Sequence, residues 1–155
     1  MRRVALLMAL LVIAGFALPT PRAASQQPAL QVVTSIGPLA DLIRNVGGER
    51  VDVLALVPPG AELEDYDPTP ADAAAVSKAR IFFANGLGLE AYLDNLVQSA
   101  GGRDLEVVTL SEGAPTIISF GQGSEAGGNP HLWLDPQNAA HYVGCLLYTS
   151  DAADE

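Results

Sequence analysis

Apolar residues follow two alternating rhythms along the chain. Residues 30–35 (LQVVTS), 51–57 (VDVLALV), 81–84 (IFFA) and 105–110 (LEVVTL) are short runs dense in Val, Ile, Leu and Phe, which predicts four buried strands. Between them the apolar positions return every three or four residues. Ile36, Leu39, Leu42, Ile43 and Val46 predict a helix, with Ser35 as its N-cap, Pro38 in its first turn and Gly47-Gly48 at its end. A second helix is predicted over residues 70–78. Thr69 caps it, and Asp72 in its first turn meets the positive end of the helix dipole. Leu89, Leu93, Leu96 and Val97 predict a third helix, with Glu90 early in it and Gly101-Gly102 after its end. Asn85-Gly86 reads as a turn pair.

Strands that alternate with helices at this spacing predict parallel βαβ units. The expected fold class is α/β: an open, mainly parallel sheet with flanking helices and right-handed crossovers. Ligands in such sheets bind beyond the carboxyl ends of the strands. Residues 111–129 hold five glycines and few apolar anchors, so they predict a flexible surface loop. A further helix is expected to begin near residues 136–139 and to lose its pattern after residue 143, where Thr149-Ser150-Asp151 interrupts it. Residues 144–155 are read as a non-native tail, translated from DNA joined to a truncated gene, with a native terminus as the alternative. No internal repeat of 20–50 residues is visible.

Two segments change this picture. Arg2 and Arg3 precede an apolar run of 15 residues, 4–18, and small residues such as Ala23 and Ser25 follow. That order predicts a secretory signal peptide over residues 1–25, since a membrane span needs about 20 apolar residues; a retained anchor is the alternative. The remaining lobe is expected to cover residues 26–143 and to lie in the periplasm or outside the cell. No cysteine stands just after the signal, as a lipid anchor there would require. Cleavage would remove Arg2, Arg3 and Arg22, leaving 5 basic against 18 acidic residues and moving the net charge from −10 to −13. Such acidity argues against nucleic acid and anionic membranes as partners and is compatible with a cation. Cys145, the single cysteine, can form no internal disulfide.

The second segment is 57–70, VPPGAELEDYDPTP. Glu62, Glu64, Asp65 and Asp67 fall within six residues and repel one another, so they face water or hold something cationic. Downstream, His131 lies between the glycine-rich loop and Trp133; imidazole is a frequent ligand of transition metals, although a lone histidine is more often structural. His141 is read as a surface residue. Neither a GxSxG elbow nor a Walker A lysine motif is present, and Asn85-Gly86-Leu87-Gly88 lacks the full dinucleotide fingerprint. Adjacent carboxylates in one loop do not flank a sugar bond from two sides.

The segments VVTSIGPLADLIRNVGGERV, LVPPGAELEDYDPTP, SKARIFFANGLGLEAYLDNL, LSEG and NPHLWLDPQNA, in this order, resemble the N-terminal part of the cluster A-I metal-binding proteins of bacterial zinc and manganese ABC transporters. The resemblance runs over residues 30–143. It implies an N-terminal lobe of a two-lobe binding protein, with Zn2+ or Mn2+ held between the lobes as transported ligand and no catalysis. The implied partners are an ABC permease and a divalent metal ion, and the protein is expected to be a monomer. His131 falls on the histidine of the family's DPHxWLDP-like segment. Glu64 stands where the family usually has its first histidine, and Leu63 replaces a proline. Glu64 is therefore either a harder, oxygen-donor ligand or no ligand at all. Asp65 and Asp67 are expected to be solvated, and Asp135 either orients His131 or caps the next helix. A surface adhesion protein on the same lobe, with a degenerate metal site, is the alternative.

Overall fold

In the computed structural model, which describes residues 28–61, 66–102, 104–115 and 129–152, four strands run parallel in one sheet. They are β1 (Leu30–Thr34), β2 (Val51–Ala55), β3 (Ile81–Ala84) and β4 (Glu106–Thr109), in the spatial order β2-β1-β3-β4. Val32 sits opposite Val53 on one side and Ile81 on the other, while Phe83 sits opposite Val108. The signal-like residues 1–25 and most of the glycine-rich loop lie outside the described residues.

The apolar runs are unbroken because both sheet faces are covered, as in other parallel sheets. Val32, Val53, Ile81 and Phe83 face one way. They pack on Leu39, Ala40 and Ile43 of α1 (Gly37–Gly47) and on Tyr142 and Leu146 of α4 (Pro136–Ala152). Val33, Phe82 and Ala84 face the opposite way, against Val76 of α2 (Pro70–Val76) and against Leu93, Leu96 and Val97. The last two belong to α3 (Asp94–Ala100). The result is a three-layer α/β/α lobe, as the strand–helix alternation predicts.

Four local expectations need correction. Ser35 does not cap α1: Ile36 holds the N-cap position without a side-chain bond, and Ser35 is fully buried instead. A buried hydroxyl needs a partner, and it donates to Glu90 at 2.7 Å. The third helix begins at Asp94 and not near Leu89. Gly86, Leu87 and Gly88 take φ of 88°, 56° and 80°, and this left-handed run produces successive turns in place of the expected helix. Gly86 has little alternative, since a Cβ there would meet the Thr109 methyl and the Ser111 hydroxyl. β1, β2 and β4 are each shorter than the apolar runs that predict them.

The fourth correction concerns α4, which continues unbroken through Ala152. Tyr142 and Leu146, one turn apart on its inner face, are 0% and 4% exposed, so core packing carries the helix past residue 143. Thr149 fits because its hydroxyl donates to the Cys145 carbonyl at 2.9 Å.

Candidate metal centre

The sheet order places β2 and β3 on either side of β1, so the β1–β2 and β2–β3 crossovers run in opposite directions along the sheet. The crevice at the carboxyl ends of β1 and β3 is thus the topological switch point, where open α/β sheets bind ligands. Buried polar residues converge there. Glu90, 6% exposed, accepts at Oε1 from the Ser35 hydroxyl (2.7 Å) and the Asn85 amide (2.8 Å), and at Oε2 from the Gly86 amide (2.9 Å). Asn85 is fully buried; its Nδ2 donates to the Pro130 carbonyl at 2.7 Å and to the Gly86 carbonyl at 3.1 Å. The Tyr142 hydroxyl, reaching in from α4, donates to Asn85 Oδ1 at 2.7 Å. Burial, and then the nearby Glu90 charge, push Tyr142 up to about 12, so its phenol keeps that proton at any ordinary pH.

The acidic stretch leaves the carboxyl end of β2 through a turn closed by Ala61 N–H on the Pro58 carbonyl. Glu64 lies outside the described residues, together with Glu62, Leu63 and Asp65. The stretch re-enters at Tyr66, whose hydroxyl donates to Asp72 Oδ2 at 2.7 Å and whose ring meets Tyr92 edge-on at 6.5 Å. Burial, with the hydrogen bond to Asp72 and its charge, raises Tyr66 to about 12. Thr69 and Asp72 form a reciprocal capping box on α2, as Thr69 predicts. Burial opposes ionisation of Asp72, but hydrogen bonds from Thr69 and Tyr66 outweigh it and lower the carboxyl below its ordinary 3.8. Asp67 is exposed, as expected of a solvated residue.

Because Asp72 titrates lower when folded, its stabilising contribution is complete above pH 3.8 and drains away as pH falls through the lower folded value. Asp72→Ala should cost about 1–2 kcal/mol at neutral pH through the lost cap. It should also flatten the acid limb of the stability profile, measured by urea unfolding between pH 2 and pH 7.

His131 is exposed and stands at the start of a 3-10 turn, Leu132–Leu134, whose Leu132 is buried in the core. Asn129 Oδ1 lies 3.0 Å from both the His131 amide and His131 Nδ1. An oxygen that takes the amide proton can only accept, so the ring contact requires the proton on Nδ1. Nε2 then carries the free lone pair, the arrangement a metal-ligating imidazole needs. The Trp133 ring, centred 5.2 Å away, flanks the imidazole. Asp135 takes the helix-capping alternative. Its Oδ1 accepts from the Gln137 (2.8 Å) and Asn138 (3.3 Å) amides and caps α4. His141 is half-buried, not a bare surface residue; Nε2 is 2.8 Å from the Glu112 carbonyl and 3.4 Å from Cys145 Sγ.

The carboxyl ends of β2 and β3 are two strand spacings apart, roughly 10 Å. Residues 57–61, which lead into the acidic stretch, and the His131 segment therefore both lie at the carboxyl end of the sheet. Among the described residues no three His, Cys, Asp or Glu side chains come together as a metal site. A separate cavity of about 370 Å³ lies toward β4, between Phe82, Ala84, Glu90, Val97, Val107 and Thr109, and His131 does not line it. The chain's local patterns do not mark Asn85, Glu90 or Tyr142 as site-forming residues. Asn85-Gly86 carries only a turn signal, and Glu90 a helix-start signal.

Comparison with known proteins agrees with the α/β fold of the lobe. The family model described as ZnuA, zinc-uptake complex component A, periplasmic, matches residues 32–149. The manganese-binding lipoprotein MntA of Halalkalibacterium halodurans is 43% identical over 114 residues, covering 74% of this chain and 36% of its own length. The Mn-bound periplasmic metal-binding protein of Candidatus Liberibacter asiaticus superposes with a TM-score of 0.71 at 26% identity, covering 79% of this chain and 45% of that one. A ZnuA crystal structure shares the fold, with a TM-score of 0.73 at 24% identity, covering 81% of this chain and 49% of that one. This chain thus spans less than half the length of each of these proteins.

Proposed function

The chain belongs to the ZnuA family of periplasmic zinc-uptake components, and from that premise we propose that it forms the N-terminal lobe of a binding protein that captures zinc or manganese outside the cytoplasmic membrane. The protein hands the ion to an ABC importer and catalyses no reaction on it. His131 is one ligand and Glu64 a second. The observation that carries this reading is the orientation of His131: Asn129 takes the Nδ1 proton, and Nε2 is left free on an exposed ring at the sheet's carboxyl edge.

Zinc usually takes four ligands, and manganese accepts more oxygen donors. Two ligands from one lobe do not close a site, so the remaining donors come from a second lobe. A carboxylate at Glu64 in place of imidazole moves the preference toward manganese. The acidity of the lobe attracts cations and repels nucleic acid. A monomer suffices, since both lobes belong to one chain.

Calorimetric titration with zinc and with manganese tests the reading. The isolated lobe should bind either ion weakly, and a two-lobe protein carrying this lobe should bind one of them tightly. Failure of the two-lobe protein to take up either ion would overturn it.

A further inference from the structure

We propose that Asn85 is the positioning residue of the metal centre, holding the His131 segment against the end of β3 through the Pro130 carbonyl. The proposal rests on the assignment of His131 as a ligand and extends it to a residue that touches no metal.

The His131 ring is exposed, so core packing alone does not fix the segment that carries it. Leu132 anchors the segment from one side, buried at 2% exposure. On the other side, a hydrogen bond from a fully buried side chain takes the carbonyl immediately before His131. Asn85 can hold that carbonyl only if its own orientation is fixed, and each of its polar groups is engaged. Its Oδ1 takes the Tyr142 hydroxyl, which orients the amide so that Nδ2 faces Pro130. Its backbone N–H is taken by Glu90, whose other oxygen holds Gly86. The left-handed run at residues 86–88 turns the chain back so that Glu90 reaches those amides. An asparagine is required because one group must both accept a phenol proton and donate to a carbonyl. Aspartate preserves the shape and the acceptor but has no Nδ2–H to give Pro130.

The contact links β3 to the His131 segment and, through Tyr142, to α4. Partners that orient a ligand typically matter 10–100-fold in metal affinity. Linkage also runs backward: if Asn85 positions His131, metal on His131 must strengthen the contact between Asn85 and Pro130.

The test uses the two-lobe protein, isotope-labelled for NMR, with zinc and manganese as probes. Asn85→Ala and Asn85→Asp should each lower affinity about 10–100-fold. Both should shift the His131 ring and amide resonances in the metal-free protein while the circular dichroism spectrum stays native. Tyr142→Phe, which removes the hydroxyl that orients the Asn85 amide but keeps the Nδ2 donor to Pro130, should lower affinity less than either. In the wild-type protein, metal should slow exchange of the Asn85 side-chain amide protons, a measurement that stands even if the variants do not fold. Unchanged affinity and unchanged His131 resonances in folded Asn85 variants would overturn the proposal, as would an Asn85 amide whose exchange ignores the metal. If the wild-type protein takes up no metal, the ligand assignment fails. Altered His131 resonances in the metal-free variants would still support the positioning role.

Discussion

His131→Ala should lower the affinity of the two-lobe protein for its metal by at least tenfold, with almost no effect on folding. Losing one of a few ligands costs well over 1.4 kcal/mol, the equivalent of that factor. The stability side follows from the environment of the ring. His131 is exposed, its ring contacts are Asn129 and Trp133, and its backbone bond to Asn129 survives the substitution. Exposed positions of this kind usually change stability by about 0.5 kcal/mol or less. Calorimetry and thermal melting on the same sample separate the two effects. Unchanged affinity would remove His131 from the ligand set, and a large loss of stability would make it a structural residue.

Glu90→Ala should have the opposite profile, destabilising the lobe by about 3 kcal/mol or more whether or not metal is present. One buried carboxyl serves three donors, Ser35, Asn85 and Gly86. Ser35 and Asn85 are fully buried, so water cannot easily replace the lost acceptor. Each buried donor left without a partner costs about 1–3 kcal/mol. Glu90→Gln should fall between wild type and Ala. It keeps one acceptor oxygen but turns an amide NH2 toward one of the two backbone N–H groups. Urea unfolding of the three proteins checks the order, and equal midpoints would show that the carboxyl is dispensable.

These predictions concern residues of different legibility. The His131 position is readable because it lies in a local segment, NPHLWLDP, with a characteristic order of residue types. Thr69 and Asp72 are readable because a helix cap spans three positions. The four strands are readable as dense apolar runs, although their lengths depend on pairing partners. Ser35 reads wrongly as a cap because local chemistry permits that role. Its actual partner, Glu90, lies 55 residues away. The extension of α4 is hidden for a related reason: Tyr142 and Leu146 find their burial against a sheet built from the first half of the chain.

The sequence by itself therefore determined the alternation of strands and helices, the parallel class of the sheet, the α2 cap and the segment that bears His131. All of these leave periodic or capping patterns along the chain, and the parallel class follows from the order in which strand and helix patterns alternate. The tertiary structure alone decided the strand order β2-β1-β3-β4, and with it the switch point beside β1. It also decided that Glu90, Asn85 and Tyr142 meet there and that Asn85 reaches Pro130, 45 positions away. Those bonds form because buried polar groups must pair once the apolar faces have closed over them. Where they pair depends on which strands become neighbours, and no local pattern in the chain records that.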